Sequence, residues 1–253
     1  MACGSPELST KGFGTEKVET ELKALFPKHN IGRMDLDTTR GKHGYEKIIS
    51  AFEEGQIDIL IGTQMLTKGL DFRNVRLVGI MNADSLLNFP DFRAHERSFQ
   101  LMLQVAGRAG RTQKRGLVLI QTYNPHHQIV QQVSTNNYQE MYQEQLDERR
   151  QYKYPPFYRL VRITLKGRDY SRVNEGADWL ATSLKNSFYE NVLGPEFPPV
   201  ARIKNKYYKK IVFKIPRNSK ISKTKIIVGK ILQTVKGIGS LTSHNEVVTV
   251  NPY

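Results

Sequence analysis

The sequence predicts a parallel sheet with crossover helices, followed by a smaller α+β module. Three observations indicate this: short apolar runs alternate with helical periodicity in the first half, the second half has the element order βαββαβ, and two consecutive prolines separate the halves. These prolines, Pro155 and Pro156, cannot continue a preceding helix. A chain of 253 residues is long enough for two modest domains with separate cores.

Strands of the first half are expected where a few apolar residues run together and end at a polar residue or a glycine. These runs cover residues 31–34, 57–61, 77–81 and 117–121. Apolar faces at helical spacing mark two helices, formed by Val18, Leu22 and Leu25 and by Tyr45, Ile48, Ile49 and Phe52. Because ligands bind beyond the carboxyl ends of strands in open α/β sheets, Thr63, which follows the second strand, is a candidate site residue.

The second half predicts strands at residues 160–165, near Val200, at 211–215 and at 247–250, with helices at 170–189 and 222–235. This order predicts an antiparallel sheet with two helices on one face, the ferredoxin-like arrangement. The apolar stripe of the first helix is expected in the core and consists of Trp179, Leu180, Leu184 and Phe188. A further helix over residues 137–150 would bridge the two units.

The run Gln104 to Arg111, QVAGRAGR, sets Arg108 and Arg111 three residues apart behind glycines at the end of a predicted helix. Two planar, permanently charged guanidinium groups suit the negative charge that develops on a transferring γ-phosphoryl group. Gly107 would let the backbone approach the ligand closely. The alternative is a solvated basic helix end, where arginines interact with the helix dipole.

Positive charge is concentrated in the second half of the chain. Of the net charge of +14, residues 151–253 contribute +13, with 19 Lys or Arg and 6 Asp or Glu, and residues 1–150 contribute +1. This concentration indicates a partner with many phosphates, and the alternative is a basic surface that serves only solubility. No apolar run approaches the ~18 residues of a membrane span, so no membrane partner is expected.

Residues 201–215 interleave cations with aromatic residues. The cations are Arg202, Lys204, Lys206, Lys209, Lys210 and Lys214, and the aromatic residues are Tyr207, Tyr208 and Phe213. Lysines can hold phosphates while tyrosines stack on bases, which predicts DNA binding. The alternative is a hairpin whose tyrosines pack as cross-strand pairs. The lysines are expected to be exposed in either case.

Two segments resemble motifs of superfamily-2 helicases: residues 63–72, TQMLTKGLDF, are similar to the fifth motif, and QVAGRAGR is similar to the sixth. Residues 12–16, 81–97 and 154–157 narrow the resemblance to the PriA family of replication-restart DNA helicases, also called primosomal protein N′. The resemblance spans essentially the whole chain. It implies a second RecA-like helicase lobe over residues 12–151 and a basic C-terminal DNA-binding domain over residues 152–253.

The resemblance also implies roles for individual residues. Arg108 and Arg111 would be arginine fingers, with Gln104 directed toward the same γ-phosphate. Gly69, Asp71 and Gly107 would lie at the nucleotide, where Asp71 would accept a hydrogen bond from the ribose or from the arginines; the alternative for Asp71 is a turn or helix-cap aspartate. Thr63 and Lys68 would contact DNA phosphates, although a helix cap is an equal alternative for Thr63.

The sequence contains no GxxxxGK[ST] loop and no acidic metal-binding motif after a strand, so ATP and Mg²⁺ would bind mainly to a first lobe elsewhere in a longer parent protein. The chain alone is expected to be inactive. The resemblance further implies that residues 1–11 are the remnant of a zinc-binding insertion, in which Cys3, the single cysteine, is an orphaned ligand of the parent site. The alternative for Cys3 is an ordinary free thiol, and Zn²⁺ is not expected in this chain.

The resemblance implies an ATP-dependent 3′ to 5′ DNA helicase that recognises stalled or branched forks and restarts replication through primosome assembly. Its partners would be forked and single-stranded DNA, single-stranded-DNA-binding protein and primosome proteins, in the bacterial cytoplasm at the nucleoid. The alternative is a nucleic-acid-binding or scaffold module with a helicase-like lobe and no motor activity. Another helicase of the same superfamily would explain the two motifs but not residues 154–157 and the basic second half.

Overall fold

The computed structural model of the protein describes residues 14–39, 44–63, 74–110, 116–237 and 245–250. Contacts divide the chain into two compact units. The first extends to Phe89 and includes Ala94–Tyr138, whereas the second contains Pro90–Arg93 and continues from Gln139. Four residues therefore belong to the second unit although the chain on both sides of them belongs to the first. The boundaries expected from the sequence, residues 12–151 and 152–253, stay predictions.

Helices and short strands alternate in the first unit. The elements are α1 (Thr15–Leu25), β1 (Ile31–Met34), α2 (Gly44–Glu53), β2 (Ile59–Gly62), β3 (Leu77–Ile80), α3 (Asp84–Leu87), α4 (Ala94–Ala106), β4 (Leu117–Ile120) and α5 (Gln128–Ser134). β1 pairs in parallel with β2, and β3 pairs in parallel with β4. The expected mixed α/β class with parallel strand pairs is confirmed.

The second strand begins at Ile59, two residues later than expected. The backbone N–H of Ile57 donates to the carbonyl of Ala51 at 3.2 Å, so this residue closes the preceding helix instead of joining the sheet. The expected stripe of α2 packs as its spacing indicated: Tyr45, Ile48, Ile49 and Phe52 lie against the fully buried Met34 of β1.

The second unit is built on an antiparallel sheet. Its elements are α6 (Tyr138–Gln151), β5 (Tyr158–Gly167), α7 (Tyr170–Phe188), a 3₁₀ helix (Tyr189–Asn191), β6 (Val192–Glu196), β7 (Arg202–Ile203), β8 (Lys206–Pro216), α8 (Ile221–Gly237) and β9 (Asn245–Val250). The strand order is β6-β8-β5-β9, and β7 forms a hairpin with β8. Within the described part of the chain, no helix is both long and apolar enough to cross a bilayer.

Helices α7 and α8 pack on one face of this sheet. Alternate residues of β5 and β8, namely Val161, Ile163, Leu165, Ile211, Phe213 and Ile215, form the core with α7. Leu180 and Leu184 of α7 are fully buried, and Val228, Ile231 and Leu232 of α8 pack against the same cluster. Asp169 caps α7 by accepting the N–H of Arg172 at 3.0 Å.

Strand β6 was not expected, and the strand expected near Val200 is only the two-residue β7. Gly194 and Pro195 are residue types common in turns, yet they lie within β6, an edge strand whose register shifts between Leu193 and Glu196. An edge strand with a bulge tolerates proline because its missing N–H leaves no central ladder bond unmade.

Candidate functional site

The arginine loop, which we define as residues 107–110, follows helix α4. The buried stripe of α4 consists of Ala94, Ser98, Phe99 and Met102. Gln104 and Gly107 are exposed, and Arg108 is half-buried. The N–H of Gly107 donates to the carbonyl of Leu103 at 2.8 Å, and that of Arg108 donates to Val105 at 3.0 Å. Arg108 is therefore held by backbone hydrogen bonds to the last turn of α4.

Glycine geometry fixes the far end of the arginine loop. Gly110 has a φ of +74°, a conformation that is unfavourable for residues with a Cβ, and its N–H donates to the carbonyl of Val75 at 3.0 Å. A Cβ on Gly116 would lie 2.4 Å from the nitrogen of Gly110. The loop is thus anchored on both sides of Arg108, which restricts where its guanidinium can lie.

The arginine loop and Thr63 lie at opposite kinds of strand end. Val75 and Gly116 precede β3 and β4, so the loop is at the amino end of that pair. Thr63 is exposed just beyond the carboxyl end of β2. The position of Thr63 is therefore the one at which open α/β sheets bind ligands, and the position of Arg108 is not.

The sequence also predicted nucleotide, metal or DNA contacts for five further residues of the first half. These residues lie outside the described part of the chain: Cys3, Lys68, Gly69, Asp71 and Arg111. Gln104, Gly107 and Arg108 are the nucleotide-site candidates within the described part. In the ranges that the structure describes, no group of three or more His, Cys, Asp or Glu side chains is placed to hold a metal ion.

The basic segment of the second unit forms a hairpin. Arg202 pairs with Tyr207 across the two strands, and Ile203 pairs with Lys206. The turn residues Lys204 and Asn205 have φ of +48° and +60°. Positive φ at both central residues is typical of the tight turns that join twisted strands. The hairpin alternative from the sequence is therefore the observed local structure, and Arg202 and Lys204 are exposed on it.

Adjacent tyrosines of β8 have different surroundings. Tyr207 lies edge-on to Tyr170, with ring centroids 5.4 Å apart, and the guanidinium of Arg202 lies 5.1 Å from the centre of its ring. Tyr170 in turn stacks on Phe197 at 5.6 Å. Tyr207 thus belongs to a packed aromatic cluster. Tyr208 alternates to the other face of the sheet and is half-buried.

The expectation that the lysines of this segment are all exposed is wrong for Lys209 and Lys214, and Lys206 and Lys210 are only partly exposed. Lys209 and Lys214 are each only 8% exposed. The ammonium of Lys209 lies 3.6 Å from a carboxylate oxygen of Asp178 and 5.0 Å from the centre of the Phe197 ring. Lys209 and Lys214 lie on opposite faces of the sheet, and each is covered by neighbouring side chains. Their alkyl stems are buried, while their ammonium groups keep contacts with an aromatic ring and an oxygen atom.

Comparison with known proteins covers both units. The protein-family model of the helicase conserved C-terminal domain matches residues 12–113. The family model of the primosomal protein N C-terminal domain matches residues 150–249. The replication restart protein PriA of Bacillus subtilis (strain 168) is 43% identical over 236 residues, which cover 92% of this chain and 29% of the relative. The proteins of the same name from Synechocystis and Treponema pallidum are each 40% identical; the matches cover 87% and 85% of this chain, and 27% and 33% of those relatives.

The chain belongs to the PriA family. It spans about a third or less of the length of these relatives. The match to the helicase family model spans α4 and the arginine loop, and the match to the primosomal family model spans the β7–β8 hairpin. The two regions with candidate site residues therefore fall in two different modules of the family.

One feature of this PriA-family chain that sequence analysis missed is a carboxylate network after β1. Asp35 accepts the hydroxyl of Thr15 at 2.6 Å and the N–H groups of Asp37 and Thr38 at 3.0 Å each. The hydrogen bond from Thr15, followed by that from Thr38, lowers the pKa of Asp35 from 3.8 to about 2. Because Thr15 begins α1, this network joins the start of α1 to the end of β1. An aspartate followed closely by two threonines at a strand end was the available signal.

A second carboxylate that sequence analysis missed closes the carboxyl end of the β3–β4 pair. Asp84 accepts the hydroxyl of Thr122 at 2.9 Å and the N–H of Tyr123 at 3.0 Å, and the latter bond contributes most to its lowered pKa. His127 caps α5 because its Nδ1 accepts the N–H of Ile129 at 3.2 Å. Burial, followed by the neighbouring His95, lowers the pKa of His127, which favours the neutral ring that a capping acceptor requires.

In this member of the PriA family, the segment around the two prolines forms an aromatic and cationic cluster. Tyr154 stacks on Phe92 with ring centroids 4.8 Å apart and nearly parallel planes. The ammonium of Lys214 lies 4.0 Å from the centre of the Tyr154 ring and donates to the carbonyl of Tyr152 at 2.6 Å. Burial, followed by the charge of Lys153, lowers the pKa of Lys214. These contacts explain why the segment that contains Phe92 belongs to the second unit.

Proposed function

We propose that this chain is the C-terminal part of an ATP-dependent DNA helicase that acts in replication restart. The observation that carries the proposal is the order of the two family matches, helicase before primosomal, over the two compact units. On this proposal the first unit is the second RecA-like lobe of the motor, and the second unit is a ferredoxin-like DNA-binding module. Parallel strand pairs support the former, and the β6-β8-β5-β9 antiparallel order with two helices on one face supports the latter.

The arginine loop contributes charge to the transition state. ATP with Mg²⁺ supplies the phosphoryl group whose hydrolysis drives such a motor. Arg108 and Arg111 would stabilise the negative charge on that group, and Gln104, four residues before Arg108, would be directed to it. The anchored backbone on both sides of Arg108 supports this role, because pre-positioned charge requires no reorganisation during the reaction. Gly69, Asp71 and Gly107 would line the same nucleotide.

The second unit holds DNA through its cations. Support comes from the +13 charge of residues 151–253 and from the exposure of Arg202 and Lys204 on the hairpin. Lys206 and Lys210 are half-buried and flank Tyr208 on one face of β8. Tyr207 and Lys209 are engaged in packing, so a contact of either side chain with DNA is not part of the proposal. Thr63 and Lys68 would touch DNA from the first unit.

The finer properties of the function rest on the family alone. They are 3′ to 5′ polarity, recognition of stalled or branched forks, primosome assembly, partnership with single-stranded-DNA-binding protein, and action at the bacterial nucleoid. The zinc of the family does not fit the donors of this chain, because it has one cysteine and its described residues form no metal-binding cluster. No step of the proposal involves zinc.

Replacement of Arg108 in the full-length protein tests the motor. Arg108→Ala is expected to lower kcat for DNA-stimulated ATP hydrolysis by about 10³-fold or more, with KM and fork affinity unchanged, because an arginine finger acts mainly in the transition state. Lys28→Ala removes an exposed cation of the same unit and serves as the matched control. Full activity in Arg108→Ala, or no hydrolysis in the unmodified protein, would favour the scaffold alternative.

A further inference from the structure

Strand alternation divides the basic segment of β8 between the two faces of the sheet. Ile211, Phe213 and Ile215 face α7 and α8, so Tyr207 and Lys209 project to that face as well. Lys206, Tyr208 and Lys210 project to the opposite face, which we name the distal face. Residues that were adjacent in the sequence motif therefore cannot act together on one ligand.

The neighbouring strand adds a residue to the distal face. Lys166 of β5 is the cross-strand partner of Tyr208, and Thr164 is the partner of Lys210. Directly paired residues of an antiparallel sheet have side chains on the same face about 5 Å apart. Lys206 and Lys210 lie two positions before and after Tyr208 on its own strand. Tyr208 thus has lysines on three sides: Lys166, Lys206 and Lys210.

This part of the distal face is partly exposed and carries net positive charge. Lys166, Lys206, Tyr208 and Lys210 are each half-buried, and among the described residues none of their side chains has a hydrogen-bond, ion-pair or ring partner. Glu196 of β6 pairs with Lys210 and is the carboxylate that the strand register brings to these rows. Farther along the same face, Lys214 is covered through its contacts with Tyr152 and Tyr154.

The chemistry of this patch matches an unpaired nucleic-acid strand. Lysines attract phosphates, and a partly exposed tyrosine ring between them can stack on a base. Bases of a duplex are stacked on each other and present only their edges in the grooves, so they cannot stack on a ring that stands on a sheet. An acidic peptide would use the lysines but would leave the ring without a flat partner.

We propose that the distal face binds single-stranded DNA, with a base stacked on Tyr208 and the flanking phosphates held by Lys166, Lys206 and Lys210. This deepens the proposed function and rests on it for the identity of the ligand as DNA. It assigns Lys166 a role that the sequence motif did not indicate. It also excludes Tyr207 and Lys209 from the contact, because they face the helices.

Fluorescence anisotropy with the full chain tests stacking directly. The probes are a short labelled oligothymidylate, a strand of the same length with abasic sites, and a duplex of the same length. Tyr208→Leu should bind the oligothymidylate about tenfold more weakly than the unmodified chain, because base stacking on an aromatic side chain is lost. Its affinity for the abasic strand should be unchanged. Tyr207→Leu is the matched control, and its affinity for both strands should stay within about twofold, since that ring packs on the other face.

The lysine contribution is tested by salt dependence. Lys166→Gln should lower the slope of log affinity against log salt by about one on both the normal and the abasic strand. Lys223→Gln, an exposed lysine of α8, is the control with the same charge change and should leave the slope unchanged. Circular dichroism of each variant checks that it folds.

Several outcomes would overturn the proposal. They are equal weakening by Tyr208→Leu and Tyr207→Leu, equal loss on the abasic and normal strands, tighter binding of the duplex than of the single strand, or tighter binding of an oligouridylate RNA. The proposed function can survive each of them, because it is tested through ATP hydrolysis by Arg108→Ala. Loss of that activity together with an unaffected Tyr208→Leu would retain the helicase and reject the distal face.

Discussion

The two units hold the cations of their candidate sites in different ways. In the first unit, the position of Arg108 depends on a few backbone groups: a helix end before it and the hydrogen bond from Gly110 to Val75 after it. In the second unit, the position of each cation depends on a long strand whose register with β5 decides which face it occupies. Neighbouring residues of a loop can therefore lie together, whereas adjacent residues of a strand project to opposite faces of the sheet.

The groups that surround the cations also differ between the two units. Arg33 of the first unit lies within 3.3 Å of carboxylate oxygens of Glu16, Glu19 and Asp35, so its charge is balanced locally. In the second unit, Lys209 and Lys214 lie over aromatic rings, while Lys210 between them is half-buried without such a ring. Balanced cations stabilise the fold, and the unbalanced ones remain available to a polyanion.

Loss of a buried side chain between α7 and the sheet has the largest expected effect on stability. Leu180→Ala should lower the free energy of unfolding of the second unit by about 2–5 kcal/mol, because the fully buried side chain leaves a cavity between α7 and the sheet. Urea unfolding followed by the fluorescence of Trp179, the single tryptophan, reports on this unit. Leu193→Ala, at a position 48% exposed on β6, should cost much less, and equal losses would show that α7 does not organise the core.

Straining the loop has the next largest effect. Gly110→Ala should cost about 1–2 kcal/mol because alanine must adopt a φ of +74°. In the full-length protein it should also reduce ATP hydrolysis, since Arg108 loses its anchored neighbour. Gly79→Ala is the matched control: its Cβ would meet nothing within 4 Å, so stability should be unchanged or slightly higher. Calorimetric unfolding measures the stability of both variants. Unchanged stability and ATP hydrolysis in Gly110→Ala would refute the view that backbone geometry positions Arg108.

The fold could be predicted further from the sequence than the site. Apolar runs and stripes predicted the parallel pairs of the first unit and the α7 core of the second, because burial imposes periods that single sequences display. β6 escaped prediction because Gly194 and Pro195 indicate a turn unless the strand is known to lie at an edge.

The candidate site was harder to predict because its residues are related by their spacing along the chain in the first unit and by strand register in the second. The spacing of Gln104, Gly107 and Arg108 is visible in the sequence, so their selection needed no fold. The division between Tyr207 and Tyr208 depends on which residues of β8 meet α7, and the pairing of Tyr208 with Lys166 joins positions far apart in the chain. Neither can be read from residues 201–215 alone.

A pH titration tests the local balance of charge in the first unit. The pKa of Asp35 is lowered from 3.8 to about 2 in the folded protein, so its carboxylate stabilises the fold above pH 4 and loses this effect as the pH falls toward 2. Asp35→Asn should lower the free energy of unfolding at neutral pH by about 1 kcal/mol, comparable to one hydrogen bond. The difference from the unmodified protein should shrink steadily as the pH falls from 4 toward 2. A deficit in Asp35→Asn that stayed constant across this pH range would contradict the assignment.

The smallest expected effects separate two adjacent lysines. Lys209→Gln should lower the free energy of unfolding by about 0.5–1 kcal/mol, because it loses the contact with the Phe197 ring and the ion pair with Asp178, whose side chain is 63% exposed. Lys210→Gln should leave stability within about 0.5 kcal/mol but lower the salt slope of single-strand binding by about one. Urea unfolding and anisotropy on both variants give a two-by-two comparison. If Lys209→Gln lowered the salt slope as much as Lys210→Gln, the face of β8 would not decide which cation meets DNA, and the contrast between loop and strand would fail.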